Sequence, residues 1–390
     1  MNPPIHPNPL ILSDGTPVTS PQQWHQQRRP ELLHLFETEI FGQTPLGKPE
    51  DLKFVIREEK PNARDGKATR LRVGILFEGH EQGRQMELLV YLPNAPQGPV
   101  PLFLGLNFNG NYATTAEPDL PLPTHYVRRL SPELPAHRAD ESQRGRSQNM
   151  WPYDTILERG YAVATACYGE VEPDMANQWW HGPRVLSGPP QEGQWGSIGA
   201  WAWALSRALD YLQTQPRINS NQIAVFGFSR LGKTALWAAA QDRRFAAVIS
   251  QNAGKGGVSL SKRPVGEPVA HLADTFGYWF TSNYAKYANN EANLPVDGHC
   301  LAALIAPRPL LVLSATEDTW SDPEGEFLGA QAATPVYQML GTEGLENTTW
   351  PKPQQQVGGP LSYYLRPGKH NVTQEDWEIT LDWADKYLSQ

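Results

Sequence analysis

Asn221–Ala240 reads NQIAVFGFSRLGKTALWAAA, and its change of character half-way along decides the fold class. Ile223, Ala224, Val225 and Phe226 form a short apolar run of the kind that makes a buried strand, and from Leu231 onward strong helix formers take over. Gly227-Phe228-Ser229-Arg230-Leu231-Gly232 joins the two. A serine on a sharp strand-to-helix turn, with glycine two residues before it, fits a nucleophile elbow: small residues let the backbone fold tightly and push the hydroxyl out of the sheet. Leu231 stands where a second glycine is usual, and Gly232 follows one place later. An ordinary strand-turn-helix junction with a helix-capping serine carries a similar pattern, so the partners of Ser229 have to be sought elsewhere in the chain.

The 390 residues contain no linker-like low-complexity stretch, which favours one catalytic domain over residues 20–390, preceded by an N-terminal arm at residues 1–19. With 36 Pro and 33 Gly the domain should be rich in turns and long loops. A net charge of -8 and a pI of about 5.7 argue against nucleic acid or an anionic membrane as partner. The 13 Trp and 14 Tyr anchor cores and loops, and they also offer the apolar faces on which sugar rings stack. Two cysteines, Cys167 and Cys300, exclude a disulfide scaffold and leave a single bridge undecided. Neither lies in a C-x-x-C spacing and there is no H-E-x-x-H, so no metal and no cofactor are expected. The opening MNPPIHPNPLILSDG has neither a basic start nor an apolar core, so no export signal is read in the chain as given.

Along the chain, Ser20-Pro21-Gln22-Gln23 caps a helix expected to run to about Phe41. Strands are predicted at residues 52–58, 69–77 and 86–92, the last two as a hairpin, and at 101–106, where the run ends in the polar loop Asn107-Phe108-Asn109-Gly110. In a hydrolase of this architecture that loop is a common source of an oxyanion donor. Residues 111–150 are too long for a simple connection and carry Arg128, Arg129, Arg138, Arg144 and Arg146. They read either as a solvated insertion or as a cleft wall that helps hold an acidic glycan. Further strands are expected at 161–168, 246–250, 310–315 and 361–365, and helices at 199–213, 327–340 and 373–388, the last capped by Thr373 with Asp376. Strands alternating with helices imply an α/β fold, a mostly parallel sheet covered on both faces.

That layout says where the partners of Ser229 belong. Chain order in such hydrolases is nucleophile, acid, histidine, with the acid after a late strand and the histidine before the last helix. Asp318 follows the strand Leu310–Ala315, and His370 sits in Arg366-Pro367-Gly368-Lys369-His370-Asn371 just ahead of the closing helix. A histidine takes the serine proton, and a carboxylate fixes its tautomer and stabilises its charged form. His299 is the competing histidine, but it precedes Leu301–Ile305 rather than a terminal helix. Glu317 is the fallback acid.

Gly-Phe-Ser-Arg-Leu-Gly-Lys at 227–233 resembles the signature of the glucuronoyl esterases, carbohydrate esterase family 15. The resemblance extends through Gln194–Trp201, Trp279-Phe280, Ala306–Pro309, Glu317–Pro323 and Arg366–His370, and is greatest to the bacterial branch. It implies an α/β-hydrolase fold, a three-layer sandwich with loop insertions around the active site. The implied activity is hydrolysis, without cofactor or metal, of the ester joining (4-O-methyl-)glucuronate groups of xylan to lignin alcohols. The implied partner is therefore a glucuronoxylan or lignin-carbohydrate ester, acted on by a secreted or periplasmic monomer. Carried over by position, Ser229 is the nucleophile, His370 the base, Arg230 the oxyanion donor, and Lys233, Glu267 and Trp320 hold the glucuronate ring. One position departs from the pattern. Many members have a glutamate where this chain has Asn252 in Gln251-Asn252-Ala253-Gly254, so the acid role falls on Asp318, while Asn252 is left able to orient the imidazole but not to balance its charge. An acetylxylan or other carbohydrate esterase would use the same triad, and a weakly active glycan-binding homologue would share the fold.

Overall fold

The structure, a computed structural model, describes residues 6–128, 137–189, 191–346 and 349–388. Of these, the residues within Pro45–Pro190, Ala200–Ala224 and Asn371–Gln390 gather into one unit, and those within Met1–Thr44, Gln191–Gly199 and Val225–His370 into another. In the first of these, β1 (Lys53–Ala63), β2 (Ala68–Leu76) and β3 (Gln85–Pro93) form an antiparallel meander with register Lys53↔Leu76 and Leu76↔Gln85. β4 (Val100–Asn107) and β5 (Ala162–Cys167) run parallel from Leu102↔Ala162 to Asn107↔Cys167. The order is β1-β2-β3-β5-β4, and β6 (Ile218–Phe228) begins beside β4. Every residue of β5 is buried, as a strand covered on both faces must be, whereas β1, at the edge, is largely exposed. The closing helix Gln374–Tyr387 has the expected capping box between Thr373 and Asp376, and its Trp377 indole donates to the Met150 carbonyl at 2.9 Å. Arg144 is taken up by its own loop, donating to the carbonyls of Glu117 and Leu120 at 3.0 and 2.9 Å, and Arg128 stacks 5.5 Å from the Phe108 ring. Arg129 lies outside the described residues.

In the other unit, the predicted helix at 21–41 forms with Ser20 as its cap, but two π turns, Trp24–Arg28 and Glu37–Phe41, interrupt it. The first ends two residues before Pro30, which has no N–H to continue the ladder. The end of β6 is followed across the sheet by β7 (Ala247–Gln251), β8 (Leu310–Ala315), then β10 (Leu361–Arg366) and β9 (Gln355–Gly358). β7 and β10 both run parallel to β8, and β9 adds an antiparallel edge. The helix expected at 327–340 instead starts at Pro323, ends at Ala332 and resumes at Thr334–Met339. Pro335 is the reason, because it cannot donate to the carbonyl four residues back. Phe41 stacks on Trp237 at 4.8 Å and pins the N-terminal helical segment to the helix Arg230–Gln241, whose residues Leu231–Ala240 are all buried. The sheet is mixed and mostly parallel with flanking helices, which is the expected fold class. Cys167 and Cys300 are both buried free thiols. Among the described residues, no helix is long and apolar enough to cross a membrane.

Candidate active site

At the end of β6 the chain turns into the helix Arg230–Gln241 through Ser229, whose φ of 58° and ψ of -130° lie where few side-chain-bearing residues go. Two features hold it there. Its N–H donates to the Gln251 carbonyl at 2.8 Å, and Gly227 has no Cβ where one would run into the Leu231 carbonyl. Ser229 occupies the N-cap position, yet its side chain makes no capping hydrogen bond. The hydroxyl is therefore not a helix cap.

Asp318, on the loop after β8, and His370, on the loop after β10, meet at 2.7 Å between Oδ2 and Nδ1. Because a carboxylate accepts there, Nδ1 carries the proton and Nε2 is left as the basic nitrogen. The imidazole lies 4.5 Å from the ring of Phe228, the residue before the serine. Among the described residues no hydrogen bond joins Ser229 Oγ to His370; such contacts commonly tighten only when substrate is bound. Burial alone would raise the Asp318 carboxyl, but the hydrogen bond and charge of His370, with Ser321 and Asn252, hold it below the ordinary value. Asn252 acts differently from expectation. Its Nδ2 donates to Asp318 Oδ2 at 2.7 Å, so it braces the carboxylate rather than the imidazole. Glu317 points to solvent, and His299 is buried in the helix Gly298–Ala303 with Nε2 2.5 Å from the Pro7 carbonyl, so neither competes.

Lys233, Glu267 and Trp320 converge. Lys233 Nζ donates to the Ala253 carbonyl at 2.6 Å and lies 3.5 Å from Glu267 Oε2, while the Trp320 indole donates to Glu267 Oε1 at 3.2 Å. The lysine and glutamate are buried, whereas Trp320 is 50% exposed. Burial lowers the Lys233 amine, with Glu267 working against the shift. The Arg230 guanidinium sits 4.5 Å from the Trp279 ring and 5.5 Å from Phe276, two rings themselves stacked at 4.0 Å. The sequence did not single out these two aromatics as a seat for Arg230, nor Glu326, which lies beneath the site. A serine, Ser314, inside the apolar run Leu310–Ala315 was the available hint that something polar is buried there.

Residues 190–341 match the family described as glucuronyl esterase, fungi. A carbohydrate esterase, MZ0003, from an unknown prokaryotic organism is 42% identical over 98% of this chain and 89% of its own length. The chain belongs to the glucuronoyl esterases, carbohydrate esterase family 15. Among solved structures, a glucuronoyl esterase from Solibacter usitatus superposes with a TM-score of 0.93 at 40% identity, covering 98% of both chains. A promiscuous family 15 esterase from a marine bacterial metagenome superposes with a TM-score of 0.92 at 43% identity, over 98% of this chain and 97% of that one. This glucuronoyl esterase family member is accordingly a carboxylic ester hydrolase.

Proposed function

We propose that the enzyme cleaves the ester between a (4-O-methyl-)glucuronate side group of xylan and a lignin alcohol, through a covalent acyl-enzyme on Ser229. His370 Nε2 takes the serine proton as Oγ attacks the uronate carbonyl carbon, and the imidazolium is balanced by Asp318. The developing oxyanion meets the Arg230 N–H, at the start of its helix, and the guanidinium that Trp279 and Phe276 hold. Collapse expels the alcohol, which leaves with the proton from His370. Water then attacks the acyl carbon by the same route and frees the uronic acid. Lys233 and Glu267 bond the sugar hydroxyls, and the exposed face of Trp320 covers the ring. A polymer-bound substrate of this kind is met outside the cell, so a secreted or periplasmic enzyme goes with the reading.

The observation that carries the proposal is the Asp318–His370 pair at 2.7 Å beside a serine held at a φ of 58°. Ser229→Ala should abolish turnover of benzyl or methyl glucuronate while the far-ultraviolet spectrum and melting temperature stay near those of the parent. Undiminished hydrolysis in that variant would remove the serine mechanism. Assayed side by side, an acetylated xylose should be the poorer substrate, and a clear preference for it would move the enzyme to the acetyl esterases.

A further inference from the structure

Glu326 is wholly buried in the helix Pro323–Ala332. One carboxyl oxygen accepts from the Gly254 N–H at 3.1 Å and the other from the Ser314 hydroxyl at 2.6 Å. The first bond reaches the turn that follows β7, the second the strand β8. That turn serves the site twice: Asn252 Nδ2 donates to Asp318 at 2.7 Å, and the Ala253 carbonyl receives Lys233 Nζ at 2.6 Å. Asn252 and Gly254 take φ values of 48° and 63°, which these two residue types adopt readily, and the turn is tied to β8 at both ends, by the Asn252 N–H on the Leu313 carbonyl at 2.8 Å and by Gly254 through Glu326.

We propose that Glu326 is a positioning residue for ester hydrolysis: by tying Gly254 to β8 it fixes the turn that sets both the Asn252 amide on Asp318 and the carbonyl that anchors Lys233. The proposal rests on the ester-hydrolase reading given above. The charge state fits the role. Burial pushes the Glu326 carboxyl up to about 8, the bonds from Ser314 and Gly254 offset only part of this, and the neighbouring Asp318 charge adds to it. Asp318 from the loop after β8, Lys233 from the helix Arg230–Gln241 and Tyr363 from β10 are the titratable groups that face it. Two nearby carboxyls are thus pushed in opposite directions, Asp318 down and Glu326 up. At neutral pH the neutral acid clamps the turn, its carbonyl oxygen accepting from Gly254 and its O–H paired with the Ser314 hydroxyl, and Asp318 alone balances the imidazolium.

The test compares Glu326→Leu and Glu326→Gln with the parent in the full chain, on methyl glucuronate and on p-nitrophenyl acetate, well below each melting temperature. Leucine cannot accept from Gly254. It should lower kcat about 10- to 100-fold on both esters, as small misplacements of a catalytic group do, and raise KM on the glucuronate alone, because only that ester uses Lys233. Glutamine keeps an acceptor for Gly254 and should stay within about twofold of the parent at pH 7. A change in kcat/KM near pH 8 is expected in the parent, and this variant should lack it. Unchanged kcat and KM in Glu326→Leu, with only the melting temperature lowered, would reduce Glu326 to a packing role. If that variant does not fold, superimposable pH profiles of Glu326→Gln and the parent from about pH 6 to about pH 9 overturn the proposal on their own. A parent inactive on both esters would instead defeat the hydrolase reading, and the positioning role with it; a parent active on acetate alone still lets the kcat comparison decide.

Discussion

Asp318 Oδ2 receives two donors at 2.7 Å, the His370 imidazole and the Asn252 amide, so residue 252 is a partner of the dyad although it is not an acid. Asp318→Asn should cost about 10⁴ in kcat/KM, because the imidazole loses both tautomer control and its countercharge. Adding Asn252→Glu in that background should recover part of the loss, since residue 252 already faces the same spot. In the parent background the same Asn252→Glu change would set two carboxylates against each other and hold one of them protonated, with little gain in rate. Measuring kcat/KM on a glucuronate ester for both single variants and the double reads the coupling, and near-normal activity in Asp318→Asn would move the acid role elsewhere. Arg230 is tested separately. Arg230→Ala should lower kcat by about 10² to 10³ with little change in KM, whereas a change confined to KM would make the guanidinium a ground-state contact.

The strand-turn-helix β6–Ser229–helix Arg230–Gln241 depends on close backbone approach more than on any side-chain bond. A Cβ at Gly227 would run into the Leu231 carbonyl in the first turn of the helix, so Gly227→Ala should push the helix start away and with it both Ser229 and Arg230. Activity should fall at least as far as in Arg230→Ala, while the rest of the fold persists; a Gly227→Ala enzyme with parental kcat would mean that the turn relaxes without moving the serine. This element was legible because its signals are local: an apolar run, a glycine two places before a serine, then helix formers. β8 was read at its observed bounds for the same reason, as a continuous apolar run. β9 was missed because Gln355-Gln356-Val357-Gly358 is a polar edge strand that exists only by pairing with β10. The break at Ala333 was written in Pro335 but overridden by the surrounding helix formers. Glu326 was not read, since a glutamate just ahead of a predicted helix reads as solvent-facing, and Ser314 in the apolar run of β8 hinted only that something polar is buried there.

Protonation couples these local features to the stability of the whole chain. Asp318, Asp297 and Glu170 are held below the ordinary carboxylate range, so the stability they contribute is present above that range and lost as pH falls through their folded values. Glu326 and His299 work in the opposite sense. Burial disfavours the charged form of His299, but Cys300, the Pro7 carbonyl and Asp297 outweigh it and raise it to about 9, while burial raises Glu326 from 4.5 to about 8. Each binds its proton more tightly folded than unfolded, so its contribution is complete below the ordinary value and declines as pH rises through the folded one. The enzyme should therefore be most stable in mildly acidic solution and weaken toward pH 9. Within that trend the share of Glu326 is separable. Between 4.5 and about 8 the folded state keeps a proton that the unfolded chain releases, which lowers stability by up to about 1.4 kcal/mol per pH unit. Glu326→Gln removes the titration and keeps the shape, so urea midpoints followed from about pH 5 to about pH 9 should fall less steeply in the variant, the two curves separating across that window and running parallel above it. Equal slopes throughout would mean that Glu326 ionises at an ordinary value and does not clamp the turn as a neutral acid.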